Sequence, residues 1–528
     1  MVRANRHCPI HPASLMTATV QNVNWDKLQN GSDIRGVALP GIPDEPVNLT
    51  PDIAETLGKA FVRWLSETLN KPATNLTISL GRDSRLSGPD LMTATTTAIS
   101  RLGCRVYDFG LASTPAMFMS TVSPEFNCDG AIMLTASHLP FNRNGCKFFT
   151  GEGGLGKQDI SAILKFAAAQ DLPEPAEGGT IETRDFMAVY AEGLVKLVRE
   201  GVNHPQQFEQ PLKGLHIIVD AGNGAGGFYC DRVLKPLGAD TTGSQFLDPD
   251  GTFPNHVPNP ENEAAMAAIS EAVLAQKADF GIIFDTDVDR GAAVDPQGQE
   301  LNRNRLIALI SAVVLKEHPG STIVTDSITS EGLTTFIEQD LNGIHHRFKR
   351  GYKNVINEAI RLNNEGQESW LAIETSGHGA MKENYFLDDG AYLITKLLVE
   401  LAKLKLEGKA LSDLIANLKE AEESAELRMK IGVEDFKDYG NQVIDALSQF
   451  AESHDGWQVV PKNYEGVRVS CQSPEEQGWF LLRLSLHDPV IPLNIESNVE
   501  GGVSHIAKTL LGFVQQFEKL DLSAFEEI

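Results

Sequence analysis

At 528 residues the chain is too long for one hydrophobic core, and ordinary domain sizes divide it into about three or four units. With 42% hydrophobic and 22% charged residues, its composition excludes disorder and a fibrous architecture. Asp and Glu outnumber Lys and Arg by 71 to 45; the net charge of −26 excludes nucleic acid and an anionic membrane face as partners.

The same field opposes a phosphorylated small molecule, so a site for one must bring its own Lys, Arg, backbone N–H groups or metal. Residues 1–24 carry Arg3 and Arg6, several Ser and Thr and no acid, and are expected as a disordered tail. Six scattered cysteines form no C-x-x-C pair, and no apolar run approaches the roughly 20 residues of a membrane span. The expected location is cytoplasmic, or a plastid if the tail is a targeting remnant.

One pattern then recurs along the chain: an apolar run of strand length stops at a loop rich in Gly, Ser, Asp or His, usually before a helix-like stretch. Leu76 to Leu80 precedes GRDSRLSG, Ala131 to Leu134 precedes TASHLP, and Leu215 to Val219 precedes DAGNGAGG. Phe280 to Phe284 precedes DTDVDR, Trp370 to Ile373 precedes ETSGHG, and Phe480 to Leu482 precedes RLSLHDP. Such alternation predicts α/β domains with mainly parallel sheets and ligands beyond the carboxyl ends of the strands. The expected divisions are 25–205, 206–316, 317–428 and, with a change to α+β character, 429–528. The charged run Glu420 to Leu427 reads as a solvated helix face, and Phe517 to Ile528 as a polar closing helix. Gly222, Gly224 and Gly227 have dinucleotide-loop spacing, but no acid follows in the expected strand-end context, so they read as a structural turn.

Two loops carry chemistry. In DTDVDR, Asp285, Asp287 and Asp289 crowd three carboxylates at the end of an apolar strand, and a hard divalent cation relieves their repulsion. An EF-hand is excluded, because Pro296 stands where its bidentate Glu belongs. In TASHLPFNRNGCKF, Ser137 is a candidate covalent carrier, with His138 and Lys147 nearby to supply charge or move protons.

With GSDIRG, GRDSRLSGP, STPA, VDAGNGAGG, PDGTFPNHVPNP, DDGAY and EGVRV, these stretches occur in the order found in the α-D-phosphohexomutase family, which the chain resembles over nearly its whole length. The resemblance implies four domains, three related α/β domains with mixed sheets and a C-terminal α+β domain. It implies a phosphoserine at Ser137, Mg²⁺ held by Asp285, Asp287, Asp289 and that phosphate, and Arg290 beside them. Arg35, His138 and Lys147 would surround the reacting hydroxyl. Glu374, Ser376 and His378 match the sugar-recognition loop, and Gly351 and Tyr352 a loop that discriminates the two ends of the substrate. The implied reaction interconverts hexose 1- and 6-phosphates, glucose and/or mannose, through a 1,6-bisphosphate. Glucose 1,6-bisphosphate would be the activator, and the protein a monomer or weak homo-oligomer.

The chain departs from the family at the fourth-domain phosphate loop. Arg483 and Ser485 are retained, but Leu486 and His487 replace a polar residue and a Thr; Leu139 also replaces an Asn beside Ser137. Two alternatives therefore stay open: a hexose 1,6-bisphosphate synthase that releases the intermediate, and a catalytically weak sugar-phosphate sensor.

Overall fold

The computed structural model describes residues 17–485 and 488–528. Four sheets follow one another along the chain. The first has Thr77–Arg82 at its centre, parallel to Arg105–Leu111 and Gly130–Leu134, with Arg143–Thr150 returning antiparallel beside the latter. The second pairs Ile217–Asp220 parallel with Phe280–Phe284, which then pairs antiparallel with Gly291–Val294. The third pairs Thr322–Thr325 parallel with Ile344–Arg347 and Ser369–Ile373, and Gly379–Met381 returns antiparallel. The last sheet is wholly antiparallel, in the order Glu423–Lys430, Val490–Ser497, Gly478–Leu482, Val467–Cys471, Trp457–Val459.

All five residues of Gly130–Leu134 and of Phe280–Phe284 are buried, because both faces are covered and an alternating pattern has no use there. The expected return through a helix is corrected at three loops. After Gly130–Leu134, Phe280–Phe284 and Ser369–Ile373 the chain turns back as an antiparallel neighbour. Each hairpin sets a second functional side chain beside its loop: Lys147 opposite Met133, Arg290 at the head of Gly291–Val294, and His378 at the head of Gly379–Met381. The metal-loop and sugar-loop hairpins are stitched together by an isolated antiparallel bridge between Arg290 and His378.

One apolar core runs through the first three domains, carried by the helices Phe186–Val202 and Gly390–Leu406; a second fills the first domain and a third the last. Residues 17–24, expected within the tail, form a turn that packs Ala18, Val20 and Val23 on the first domain; the rest of the expected tail lies outside the described residues. The charged run is no helix: its second half enters the strand Glu423–Lys430, which buries Leu427 and Met429 and exposes their neighbours. The last domain therefore starts before the boundary expected at 428. The Phe517–Ile528 segment is also not one helix, because Lys519 O accepts from Gly432 N–H and Asp521 N–H donates to Lys430 O, drawing it out along that strand; only Ser523–Glu527 is a short 3₁₀ turn. Buried Arg468 ties the last domain to the third, donating to Ser327 O, Thr329 O and Glu331 while its guanidinium covers the Trp479 ring at 3.6 Å. Among the described residues no helix is long and apolar enough to cross a membrane.

Candidate active site

The loop after Gly130–Leu134 is fixed from behind by Arg85, which is fully buried. Its guanidinium donates to the carbonyls of Ser137 (2.6 Å), Leu139 (2.5 Å), Pro140 (2.7 Å) and Arg143 (2.9 Å). Ser137 sits at φ +49°, a left-handed conformation that costs an L-residue about 1–2 kcal/mol and is held by its N–H donating to Thr135 Oγ1 at 2.9 Å. Its hydroxyl donates to Asp285 Oδ2 at 3.1 Å and accepts from Arg290 Nη2 at 3.1 Å.

The metal loop is carried by Phe280–Phe284, and Asp285, Asp287 and Asp289 are all but inaccessible. Their ligand oxygens lie within 4.8 Å of one another. Gly224 lets the neighbouring turn close on this loop, since a Cβ there would stand 2.6 Å from Thr286 O. Thr114 binds both the carboxylate and the backbone carbonyl of Asp287. Asp287 Oδ1 and Asp289 Oδ1 are buried with no hydrogen-bond partner among the described residues, an arrangement that fits oxygen ligands of a divalent cation.

Fixed cations surround the triad. Lys147 Nζ reaches Asp287 Oδ2 at 2.8 Å and also contacts Asp289, and these carboxylates overcome burial to hold it protonated. Arg290 is bonded to Asp285, Asn259 and Ser137, with Glu261 3.9 Å away. Burial, reinforced by Arg290, pushes His138 down to about 3; it is a neutral acceptor 2.6 Å from Arg290 Nη2 rather than a source of charge. Arg35 donates to Thr135 O at 2.8 Å and pairs with Asp33 at 2.9 Å.

The sugar-loop residues stand next to this centre. His378 bonds Asp388 at 2.6 Å and stacks on Tyr352 with ring centroids 5.0 Å apart; although burial opposes it, Asp388 and Asp289 hold His378 up at about 9. Glu374 accepts from Gly351 N–H at 2.5 Å and from Ser376 Oγ at 3.4 Å. A cleft of about 470 Å³ follows, lined by Gly351, Glu374, Arg483 and Ser485, by Glu261 and Glu426, and by three arginines not expected from the sequence, Arg303, Arg350 and Arg428. Glu261 links the two regions, lying 3.9 Å from Arg290 and 3.4 Å from Arg350. Leu486 and His487, where the sequence departs from the family loop, lie outside the described residues. Arg350 had a signal in FKRGYKN; Asp388, Thr114 and Asn259 had theirs in DDGAY, STPA and PDGTFPNHVPNP.

Burial, with Asp326 nearby, raises Glu374 to about 7. A carboxyl whose folded value lies above its unfolded one favours the fold at acid pH, and that contribution is lost as pH rises toward and through 7. Glu374→Gln keeps an acceptor for Gly351 N–H and removes the buried charge. Its melting temperature relative to wild type is therefore expected to rise between pH 5 and pH 8, which scanning calorimetry at the two pH values checks; an unchanged difference refutes it.

The family descriptions "Phosphoglucomutase/phosphomannomutase, alpha/beta/alpha domain" I, II and III match residues 26–173, 190–298 and 302–421. A phosphoglucomutase from Neisseria meningitidis is 28% identical over 90% of this chain and 94% of its own length. A phosphomannomutase/phosphoglucomutase from Pseudomonas aeruginosa is 29% identical over 93% and 95%. The crystal structure of a phosphoglucomutase/phosphomannomutase family protein from Burkholderia thailandensis superposes with a TM-score of 0.75 at 27% identity, covering 94% of this chain and 98% of that one. With the serine loop, acidic triad and sugar loop assembled in the family's order, the chain belongs to the α-D-phosphohexomutase family and is an intramolecular phosphotransferase of the phosphoglucomutase/phosphomannomutase type.

Proposed function

We propose that the protein interconverts hexose 1-phosphate and hexose 6-phosphate, of glucose and/or mannose, through phosphorylated Ser137 and an enzyme-bound 1,6-bisphosphate. One observation carries this reading. A serine hydroxyl bonded to one carboxylate of a buried acidic triad and to Arg290 is connected, through Glu261 3.9 Å from Arg290, to a cleft lined by four more arginines together with Glu261, Glu374 and Glu426.

In the first half-reaction the bond from phosphorus to Ser137 Oγ breaks and a bond forms to the free sugar hydroxyl, whose proton would pass to Lys147 once that side chain has shed its own and would return to the other sugar oxygen in the second half-reaction. After the bisphosphate turns over, the bond to its other sugar oxygen breaks and Ser137 Oγ recovers a phosphoryl group. Arg290 is positioned to offset charge on the moving group, with Arg35 close behind the loop. Asp285, Asp287 and Asp289 would hold Mg²⁺, which supplies charge neutralisation at the transferred oxygens when bound. Glu374 and Ser376 would read sugar hydroxyls, and Arg483 and Ser485 the non-reacting phosphate. Glucose and mannose phosphates differ at C2, and the relatives carry both names.

A coupled assay with Mg²⁺, glucose 1-phosphate and a trace of glucose 1,6-bisphosphate tests the reading. Sustained glucose 6-phosphate formation is expected. Accumulation of free bisphosphate would replace the reading with a bisphosphate synthase, and saturable binding without turnover with a sensor.

A further inference from the structure

The anion end of the cleft is built from two domains, and one carboxylate joins them. Arg350 lies in the third domain, on the loop after Ile344–Arg347, and Arg483 in the fourth, after Gly478–Leu482. Glu465 of the fourth domain reaches both. Its Oε2 accepts from Ser327 Oγ at 2.5 Å and from the Arg350 N–H at 3.1 Å, while its Oε1 lies 4.0 Å from Arg483 Nη1.

The next amide along, Gly351 N–H, donates to Glu374 Oε1. Two successive N–H groups are thus pinned by two carboxylates, one from each domain, at a turn that Gly351 makes at φ +113°. Glu465 is not among the residues that line the cleft; it stands behind Arg350 and Arg483. Its turn is pressed against the Arg483 strand, since a Cβ on Gly466 would lie 2.1 Å from Leu482 O. Arg483 itself is 5% exposed, and its Nε has no hydrogen-bond partner among the described residues. A largely buried guanidinium that belongs to the lining of a cleft is set for an incoming anion, provided its backbone is held still.

We propose that Glu465 is a positioning residue for the anionic end of the substrate, holding the Arg350–Gly351 turn and Arg483 in register across the joint between the third and fourth domains. This assignment rests on the reading that the arginine cleft takes the non-reacting phosphate. Glu465 acts through hydrogen bonds that a neutral oxygen can also accept, so the charge of its carboxylate is not the feature required.

Glu465→Ala is expected to raise the KM for glucose 1-phosphate about 10-fold, with kcat within about 3-fold of wild type, because the Ser137 centre is untouched. Glu465→Gln, which keeps an oxygen for Ser327 and for the Arg350 N–H, is expected to restore KM to within about 3-fold. Inorganic phosphate binding measured by calorimetry, which needs no turnover, should weaken about 10-fold in Glu465→Ala and recover in Glu465→Gln. If Glu465→Ala fails to fold, Ser327→Ala removes only the hydroxyl donor and should still raise KM.

A normal KM and normal phosphate affinity in folded Glu465→Ala overturn the assignment. A fall in KM in both variants also overturns it, since Glu465 would then be a competing charge. Loss of kcat and melting temperature with KM unchanged reduces it to a structural contact. An inactive wild type that still binds phosphate, with the expected dependence on residue 465, would count against the mutase reading and leave this assignment standing.

Discussion

Replacing Ser137 with alanine is expected to lower turnover by about four orders of magnitude or more, because Ser137 carries the hydroxyl bonded to both Asp285 and Arg290, the one proposed to hold the phosphoryl group between half-reactions. The fold should be untouched. Alanine at φ +49° meets the same backbone cost as serine, and both the N–H bond to Thr135 and the four Arg85 contacts go to main-chain atoms that the substitution keeps. The check is the coupled assay beside a melting curve and phosphate analysis of the purified protein. Wild type should carry covalent phosphate and Ser137→Ala none. Turnover in the variant above about one hundredth of wild type would sink the phosphoserine mechanism.

Removal of divalent cations is expected to cost about three orders of magnitude or more in rate, restored by Mg²⁺. A second readout does not depend on activity. Three buried carboxylates face two close cations, Lys147 and Arg290, and two of their oxygens have no hydrogen-bond partner among the described residues. Binding at a hundred times the dissociation constant stabilises a folded protein by about 2.7 kcal/mol, so Mg²⁺ should raise the melting temperature. Asp287→Asn should lose most of that rise. A melting temperature indifferent to Mg²⁺ in wild type would mean that Lys147 and Arg290 neutralise the triad by themselves.

Much of this centre was legible because its parts are local. FGIIF must be buried, so three carboxylates spaced by two behind it are held together whatever surrounds them. The order of the motifs supplied the family and the four-part architecture. An apolar run, however, identifies a strand without saying how the chain returns, so three hairpins were expected as helical crossovers. The run Glu420 to Leu427 looked helical because composition hides its partner, Val490–Ser497, more than sixty residues on. Arg85 illustrates the same limit: its role depends on four carbonyls that lie 52 to 58 residues away in sequence. Arg428 lies just past that run, and its place on the cleft depends on the pairing of Glu423–Lys430 with the distant Val490–Ser497.

The backbone bridge between Arg290 and His378 has a mechanical consequence. It welds the hairpin that bears the acidic triad to the hairpin that bears Glu374, Ser376 and His378, and the core shared by the second and third domains backs the weld. Those two domains therefore behave as a single anvil. The last domain has its own core and meets the third through the polar contacts of Arg468 and Glu465 and through Tyr464, whose ring lies 5.0 Å from Phe348 and 5.3 Å from His346, so it is the hammer: under the proposed reaction, the breathing that would let a bisphosphate turn end over end is expected at that joint.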